Sequence, residues 1–144
     1  QSSKPIVHHS DPASILQLLP DAILAARLIA LAEGFYLLSE ASKTYDWNLS
    51  LDNVAKIWRG GCIIRSKMLP EIVAAFEAQQ EIEHLFESTS FASLLASKIP
   101  ALQKTLFLLS DFQLPLPALN AALQYYYALA QPLWTALFLF IPTT

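Results

Sequence analysis

The densest candidate site in this sequence is the run Trp58-Arg59-Gly60-Gly61-Cys62-Ile63-Ile64-Arg65. Arg59 and Arg65 could hold a phosphate between them, and a glycine pair before a helix could offer backbone amides to an anion. A P-loop is excluded, because no Gly-Lys-Ser/Thr sequence follows the glycines. In the alternative interpretation, the glycines let two helices turn and pack while the arginines pair with nearby carboxylates. We favour this structural role for the motif.

Histidine patterns offer a second class of candidate. Glu81 and His84 have the i, i+3 spacing of carboxylate-bridged metal sites, but the sequence contains no second Glu-x-x-His, so we interpret them as part of a solvated face. His8 and His9 lie in a polar N-terminal stretch with no partner that would define a catalytic triad. Serine, histidine and aspartate are all present, yet no nucleophile-elbow spacing occurs. We expect no metal site.

Cofactor chemistry is constrained by the glycine and cysteine counts. The three glycines stand at positions 34, 60 and 61, so a Gly-x-Gly-x-x-Gly dinucleotide fingerprint cannot occur in this chain. The single cysteine, Cys62, excludes an internal disulfide and a cysteine-cluster metal site, which suits a reducing cytoplasm. We therefore expect no catalytic and no cofactor-binding residue in this chain, and no substrate-binding residue can be assigned.

Composition indicates one domain that needs a covering partner. The chain has 144 residues, of which 54% are hydrophobic and 15% charged, against a usual charged share of about 25%. So few charges cannot cover the surface of an isolated monomer well, which favours burial against another protein surface or a membrane. The net charge of −3 gives no indication of nucleic-acid binding.

The apolar spacing predicts an all-α fold with one long central helix. Residues 1–18 are predicted to form an arm and a short turn opened by Asp11-Pro12, and a long helix is predicted over about 21–45. One stripe of that helix is large and apolar, with Leu24, Leu28, Leu31, Phe35 and Leu38. Another is small, with Ala22, Ala26, Ala30 and Gly34, and such a face lets a second helix approach closely.

The rest of the chain predicts four further helices separated by turn residues. Ser50 and Asn53 suggest a cap for a helix through Trp58, and a helix from about 62 to 78 follows with a kink or restart at Pro70. A helix over about 91–110 follows, with Pro100 as a kink. A connection whose conformation is restricted by prolines then leads to a last helix from Pro117 to about Ala130.

The C-terminal tail is strongly apolar. No charged side chain occurs from Phe112 to Thr144, and the window 121–141 is almost long and apolar enough to span a membrane. Gln124, Gln131 and Pro132 interrupt that window, and no flanking Lys or Arg anchors it. We favour burial against protein, and membrane association remains the alternative.

Three strings, in order, resemble the decarboxylating 6-phosphogluconate dehydrogenase family. Residues 32–38 followed by Tyr45-Asp46-Trp47 are similar to the family's AQGFMLL…YGW, and residues 57–66 read IWRGGCIIRS, which matches the family almost letter for letter. Residues 114–126 are similar to its IPVPALSAALAYY segment. The resemblance covers roughly residues 19–130 and identifies the chain with the family's helical C-terminal domain.

The resemblance implies a homodimer formed through helical faces, with an N-terminal dinucleotide-binding domain that this chain lacks. The family oxidises 6-phosphogluconate with NADP, or NAD in some members, and releases CO2 to give ribulose 5-phosphate in the pentose phosphate pathway. Its catalytic lysine and glutamate precede the matched region, so none can be placed here. The family's tail brings an Arg and a His to the partner's substrate, whereas residues 128–142 contain neither.

We therefore expect the helical dimerisation and substrate domain of an NADP-dependent 6-phosphogluconate dehydrogenase, cytoplasmic and inactive alone. It comprises the arm 1–18, a family-like core 19–130 and a divergent apolar tail 131–144. The absence of an initiator Met also suggests part of a longer polypeptide. The alternatives are a stand-alone helical interaction module and a membrane-associated protein anchored by residues 121–141.

Overall fold

A computed structural model describes residues 11–60, 68–78 and 82–130. These residues form five α-helices: α1 (Pro12–Thr44), α2 (Leu51–Arg59), α3 (Leu69–Ala78), α4 (Thr89–Ser110) and α5 (Pro117–Ala130). A short 3₁₀ helix, Leu85–Glu87, precedes α4. No strand occurs within the described ranges, and the predicted all-α fold with one long helix is confirmed.

The N-terminus of α1 is fixed by Asp11. One carboxylate oxygen accepts the Ala13 N–H at 3.1 Å and the other accepts the Ser14 N–H at 3.2 Å. These hydrogen bonds lower the pKa of Asp11, the Ala13 bond most, and satisfy amides that have no partner inside the helix. Pro12 follows at the first helical position, where a missing N–H costs nothing.

The predicted break between the arm and short turn of residues 1–18 and a helix beginning near residue 21 is not seen. The helix α1 runs through Pro20 without interruption. Proline removes one hydrogen bond, here to the carbonyl of Leu16, and usually bends the axis. The strong helix formers on both sides keep the helix continuous.

The buried face of α1 differs from the predicted small-residue face. Residues that are fully buried on α1 are Ala22, Ala25, Leu28, Ile29, Ala32 and Phe35. Ala30 is exposed, and nothing lies within 4 Å of a Cβ built on Gly34. The prediction that Ala30 and Gly34 pack closely is therefore wrong within the described chain. Alanines packed beside large side chains form the core instead.

The described residues divide into two compact units, one within residues 1–29 and 99–144 and the other within residues 30–98. In the second unit α2 packs against α3, and Phe35, Leu69, Ile72 and Leu85 are fully buried.

In the first unit Leu102 and Thr105 of α4 are fully buried. Gln103 also donates a 2.6 Å hydrogen bond to the Tyr127 hydroxyl of α5.

The later helices begin and end close to their predicted bounds. The helix α2 follows Ser50, but the Ser50 hydroxyl donates to the Asp52 carboxylate and caps no amide. Pro70 lies in the first turn of α3, where the restart interpretation places it, and residues 62–67 lie outside the described chain. The helix α4 passes through Pro100, and α5 spans Pro117–Ala130 as predicted.

Among the described residues, α1 is long and apolar enough to cross a membrane by length and composition. One third of its most apolar window, 33%, is buried inside the protein. Core helices of proteins in water meet the same two criteria. The span suggested at 121–141 extends beyond the described residues and stays a prediction.

Candidate functional site

Trp58 anchors the tryptophan–arginine–glycine motif in the second unit. Its half-buried ring lies 4.8 Å from the ring of Phe35 on α1, centroid to centroid. Phe35 is fully buried and its centroid lies 5.2 Å from that of Phe76 on α3. Tilted aromatic pairs at these distances add about 0.5–1.5 kcal/mol each beyond the burial of their area. The three rings therefore join α1, α2 and α3 at the motif.

Arg59 and Gly60 occupy the exposed end of α2. The Gly60 N–H donates to the Ile57 carbonyl at 3.0 Å, which closes the helix with a tight last turn. Gly60 has φ −91°, a conformation open to any residue, and an added Cβ would lie 3.4 Å from the Ile57 carbonyl oxygen. The backbone conformation at position 60 therefore does not require glycine. Gly61, Cys62 and Arg65 lie outside the described residues, and the structural role of the motif stays a prediction.

His84 contradicts the solvated-face interpretation. The residue is 8% exposed, and its Nδ1 accepts the Phe86 N–H at 3.1 Å at the start of the 3₁₀ helix. Its ring lies 5.3 Å from that of Tyr36 and 4.4 Å from that of Phe86. Burial lowers the pKa of His84, and the charge of Glu87 opposes that shift in part.

The side chain of His84 is therefore a buried capping group. Its suggested metal partner, Glu81, lies outside the described residues. Within the part of the chain that the structure describes, no group of three or more His, Cys, Asp or Glu side chains could hold a metal ion.

Two lysines bridge the helices around an open groove of about 830 Å³ in the second unit. Lys43 contacts Glu83 at 2.6 Å and Glu40 at 3.0 Å, and these carboxylates raise its pKa. Lys43 thereby connects the end of α1 to the segment after α3. Sequence reasoning did not identify this groove, because its carboxylates are spread over residues 46–83 and only packing brings them together.

Lys56 makes the second bridge, between α2 and α3. Its ammonium lies 2.8 Å from a carboxylate oxygen of Asp52 and 2.8 Å from one of Glu77. These two partners raise the pKa of Lys56. Hydrogen bonds from Lys56 and Ser50 lower the pKa of Asp52 from 3.8 to about 2. All three groups are solvent-accessible, so the bridge contributes little to stability.

A stacked aromatic pair lies on the turn after α1. The rings of Tyr45 and Trp47 are 5.1 Å apart with an interplanar angle of 24°, and the two residues are 64% and 54% exposed. Asp46 and Asn48, which alternate with them, line the groove. In the sequence, the Tyr45-Asp46-Trp47 string is the only sign of this pair, and it carries the resemblance to the family without predicting the stacking.

Comparison with known proteins identifies the fold's family. The family profile described as "6-phosphogluconate dehydrogenase, C-terminal domain" matches residues 1–139. The chain belongs to this family. The match is wider than the 19–130 expected from the three strings, and the recognition made from the sequence is confirmed.

Individual relatives agree with the family match. The chain is 37% identical over 108 residues to "6-phosphogluconate dehydrogenase, decarboxylating 2" of Saccharomyces cerevisiae, covering 75% of this chain and 22% of that protein. It is 38% identical over 112 residues to the decarboxylating enzyme of Treponema pallidum, covering 78% of this chain and 23% of that protein. The chain thus spans a little under a quarter of the length of these relatives.

A solved structure of Plasmodium falciparum 6-phosphogluconate dehydrogenase superposes with a TM-score of 0.82 at 29% identity. The superposition covers 94% of this chain and 30% of that one. The Plasmodium enzyme was solved in its apo form, with its cofactor NADP+ and with its substrate 6-phosphogluconate. The helical arrangement described above is therefore that of the family's C-terminal domain.

Proposed function

We propose that this chain forms the helical domain of a decarboxylating 6-phosphogluconate dehydrogenase. The whole enzyme would oxidise 6-phosphogluconate with NADP, release CO2 and give ribulose 5-phosphate. The observation that carries the proposal is the family match over residues 1–139. The Plasmodium structure, with NADP+ as its cofactor and 6-phosphogluconate as its substrate, supports the choice of reaction.

The proposed role of the chain is to shape the enzyme and join its subunits. Large apolar side chains remain in water on several helices: Leu16 (67%), Leu37 (68%), Ile57 (72%) and Phe107 (74%). Such residues scattered singly are ordinary, but here they accompany a charged share of only 15%. We propose that a second copy of the chain and a nucleotide-binding domain bury these side chains, and that the enzyme is located in the cytoplasm.

Hydride transfer itself is assigned to other parts of the enzyme. Glycines at positions 34, 60 and 61 do not have the Gly-x-Gly-x-x-Gly spacing of a dinucleotide-binding motif, so NADP would be held by a nucleotide-binding domain. The chain incubated with 6-phosphogluconate and NADP should form no NADPH, measured by absorbance at the wavelength of the reduced nicotinamide. Turnover by this chain alone would contradict the assignment.

A domain exchange tests the function directly. The 108-residue matching region of the Saccharomyces relative would be replaced by that of this chain. We expect the chimera to reduce NADP with 6-phosphogluconate, and the same relative with the region deleted to be inactive. A chimera that is folded by circular dichroism and dimeric by sedimentation, yet inactive, would contradict the proposal.

Sedimentation of the chain by itself tests the proposed dimer. An obligate interface of the kind proposed buries more than about 2,000 Å² in total and persists at micromolar concentration. A stable monomer in that range would contradict the proposal that helical faces alone join two copies.

A further inference from the structure

The turn between α1 and α2 presents two large aromatic rings to water side by side. Tyr45 and Trp47 are 64% and 54% exposed, and their rings stack at 5.1 Å. An exposed tryptophan beside an exposed tyrosine is typical of a protein interface, because such rings give large contact areas for little loss of side-chain entropy.

The backbone holds this pair in one arrangement. Asp46 and Asn48 have φ values of 53° and 51°, a left-handed conformation that Asp and Asn adopt more readily than other non-glycine residues. The Trp47 N–H donates to the Ser42 carbonyl at 3.0 Å, and the Leu49 N–H donates to the Ser42 hydroxyl at 2.9 Å. The rings are therefore carried on a turn that is hydrogen-bonded to the end of α1.

The groove beside the turn carries an excess of negative charge. Its described lining contains one ammonium, that of Lys43, and four carboxylates, those of Asp46, Asp52, Glu77 and Glu83. Lys56 neutralises part of this charge by pairing with Asp52 and Glu77. Since each lysine is shared between two carboxylates, the described groove remains anionic.

We propose that the turn and groove form a docking surface for an arginine-bearing segment of another polypeptide. A guanidinium stacks on tyrosine and tryptophan faces and also pairs with carboxylates in a planar fork, so it matches both parts of the surface. A second copy of this chain matches poorly in a symmetric contact at this surface, because two such anionic grooves facing each other would repel. This proposal is independent of the dehydrogenase function.

Calorimetric titration with a hexa-arginine peptide tests the docking surface, with hexa-glutamate as the peptide control. Wild type should bind hexa-arginine with an affinity that falls as salt increases. Trp47→Ala should weaken binding about 2- to 30-fold, the range that a cation–π contact of about 0.5–2 kcal/mol gives. Glu83→Gln should weaken it as well, with melting curves confirming that both variants are folded.

Glu33→Gln provides the matched charge control, because Glu33 is exposed on α1 and lies outside the groove lining. The proposal predicts unchanged affinity for this variant. An equal loss in Glu33→Gln and Glu83→Gln, or full affinity in Trp47→Ala, would overturn it. Sedimentation of wild type and Trp47→Ala completes the test. If this substitution converted a dimer to a monomer, the surface would belong to the contact with a second copy, and the proposal would be overturned.

Discussion

Phe35 offers the sharpest test of the packing that holds the tryptophan motif. The residue is fully buried, and its ring contacts those of Trp58 at 4.8 Å and Phe76 at 5.2 Å. Replacing a buried phenylalanine by alanine costs about 3–5 kcal/mol through lost transfer energy and the cavity left behind. Because Phe35→Ala also removes two aromatic pairs, worth about 0.5–1.5 kcal/mol each, we expect a value in the upper half of that range.

Urea unfolding followed by circular dichroism measures this loss. For a protein of this size, about 4–5 kcal/mol corresponds to a fall in melting temperature of roughly 8–20 °C. Phe35→Leu should lose less, which keeps the measurement possible if the alanine variant is largely unfolded. Leu37→Ala is the control on the same helix, because Leu37 is exposed and such surface changes cost within about 0.5 kcal/mol. Similar losses in Phe35→Ala and Leu37→Ala would refute the reasoning.

Three further predictions address single features of the fold. Ala32→Asp buries an unpaired charge and should lower the free energy of unfolding by at least about 3 kcal/mol. Ala30→Asp lies on the exposed side of α1 and should lower it by no more than about 1 kcal/mol. Equal melting temperatures for the two variants would contradict the assignment of Ala32 to the buried face. Gly60→Ala should leave the free energy of unfolding unchanged or raise it by up to about 1 kcal/mol, because φ there is negative; a large loss in urea unfolding would show that the turn needs glycine. Burial lowers the pKa of His84, so the unfolded chain binds the proton more readily and stability should fall as pH decreases below about 6.5. The proton would also occupy the Nδ1 that accepts the Phe86 N–H. If the urea midpoint of His84→Asn had the same pH dependence as that of the wild type, His84 would not be the cause of the pH effect.

Local sequence determined most of the helices and their ends, with the start of α1 as the exception. Leucine- and alanine-rich stretches with few glycines predict an all-α chain. Ser50 precedes α2 without capping an amide, and Pro70 and Pro117 lie in the first turns of α3 and α5. These features depend on interactions within a few residues of the chain, which is why they can be read without a structure. The family likewise followed from short strings, the longest at residues 57–66.

Packing decided what the local pattern left open. From residue 30 onward, the buried face of α1 is the one on which Phe35 contacts Trp58 of α2 and Phe76 of α3. The exposure of Ala30 could therefore not be assigned from its spacing alone. His84 looked solvated among its acidic neighbours, and only its contact with Tyr36 and its bond to the Phe86 amide place it in the interior.

The ion pairs around the groove could not be predicted from the sequence either. Lys43 reaches Glu83 across forty positions of the sequence, and Lys56 reaches Glu77 on the neighbouring helix. The sequence by itself determined most of the helical segments and the family to which the chain belongs. The tertiary structure alone decided which of them meet, because burial and charge pairing act between residues that are distant along the chain.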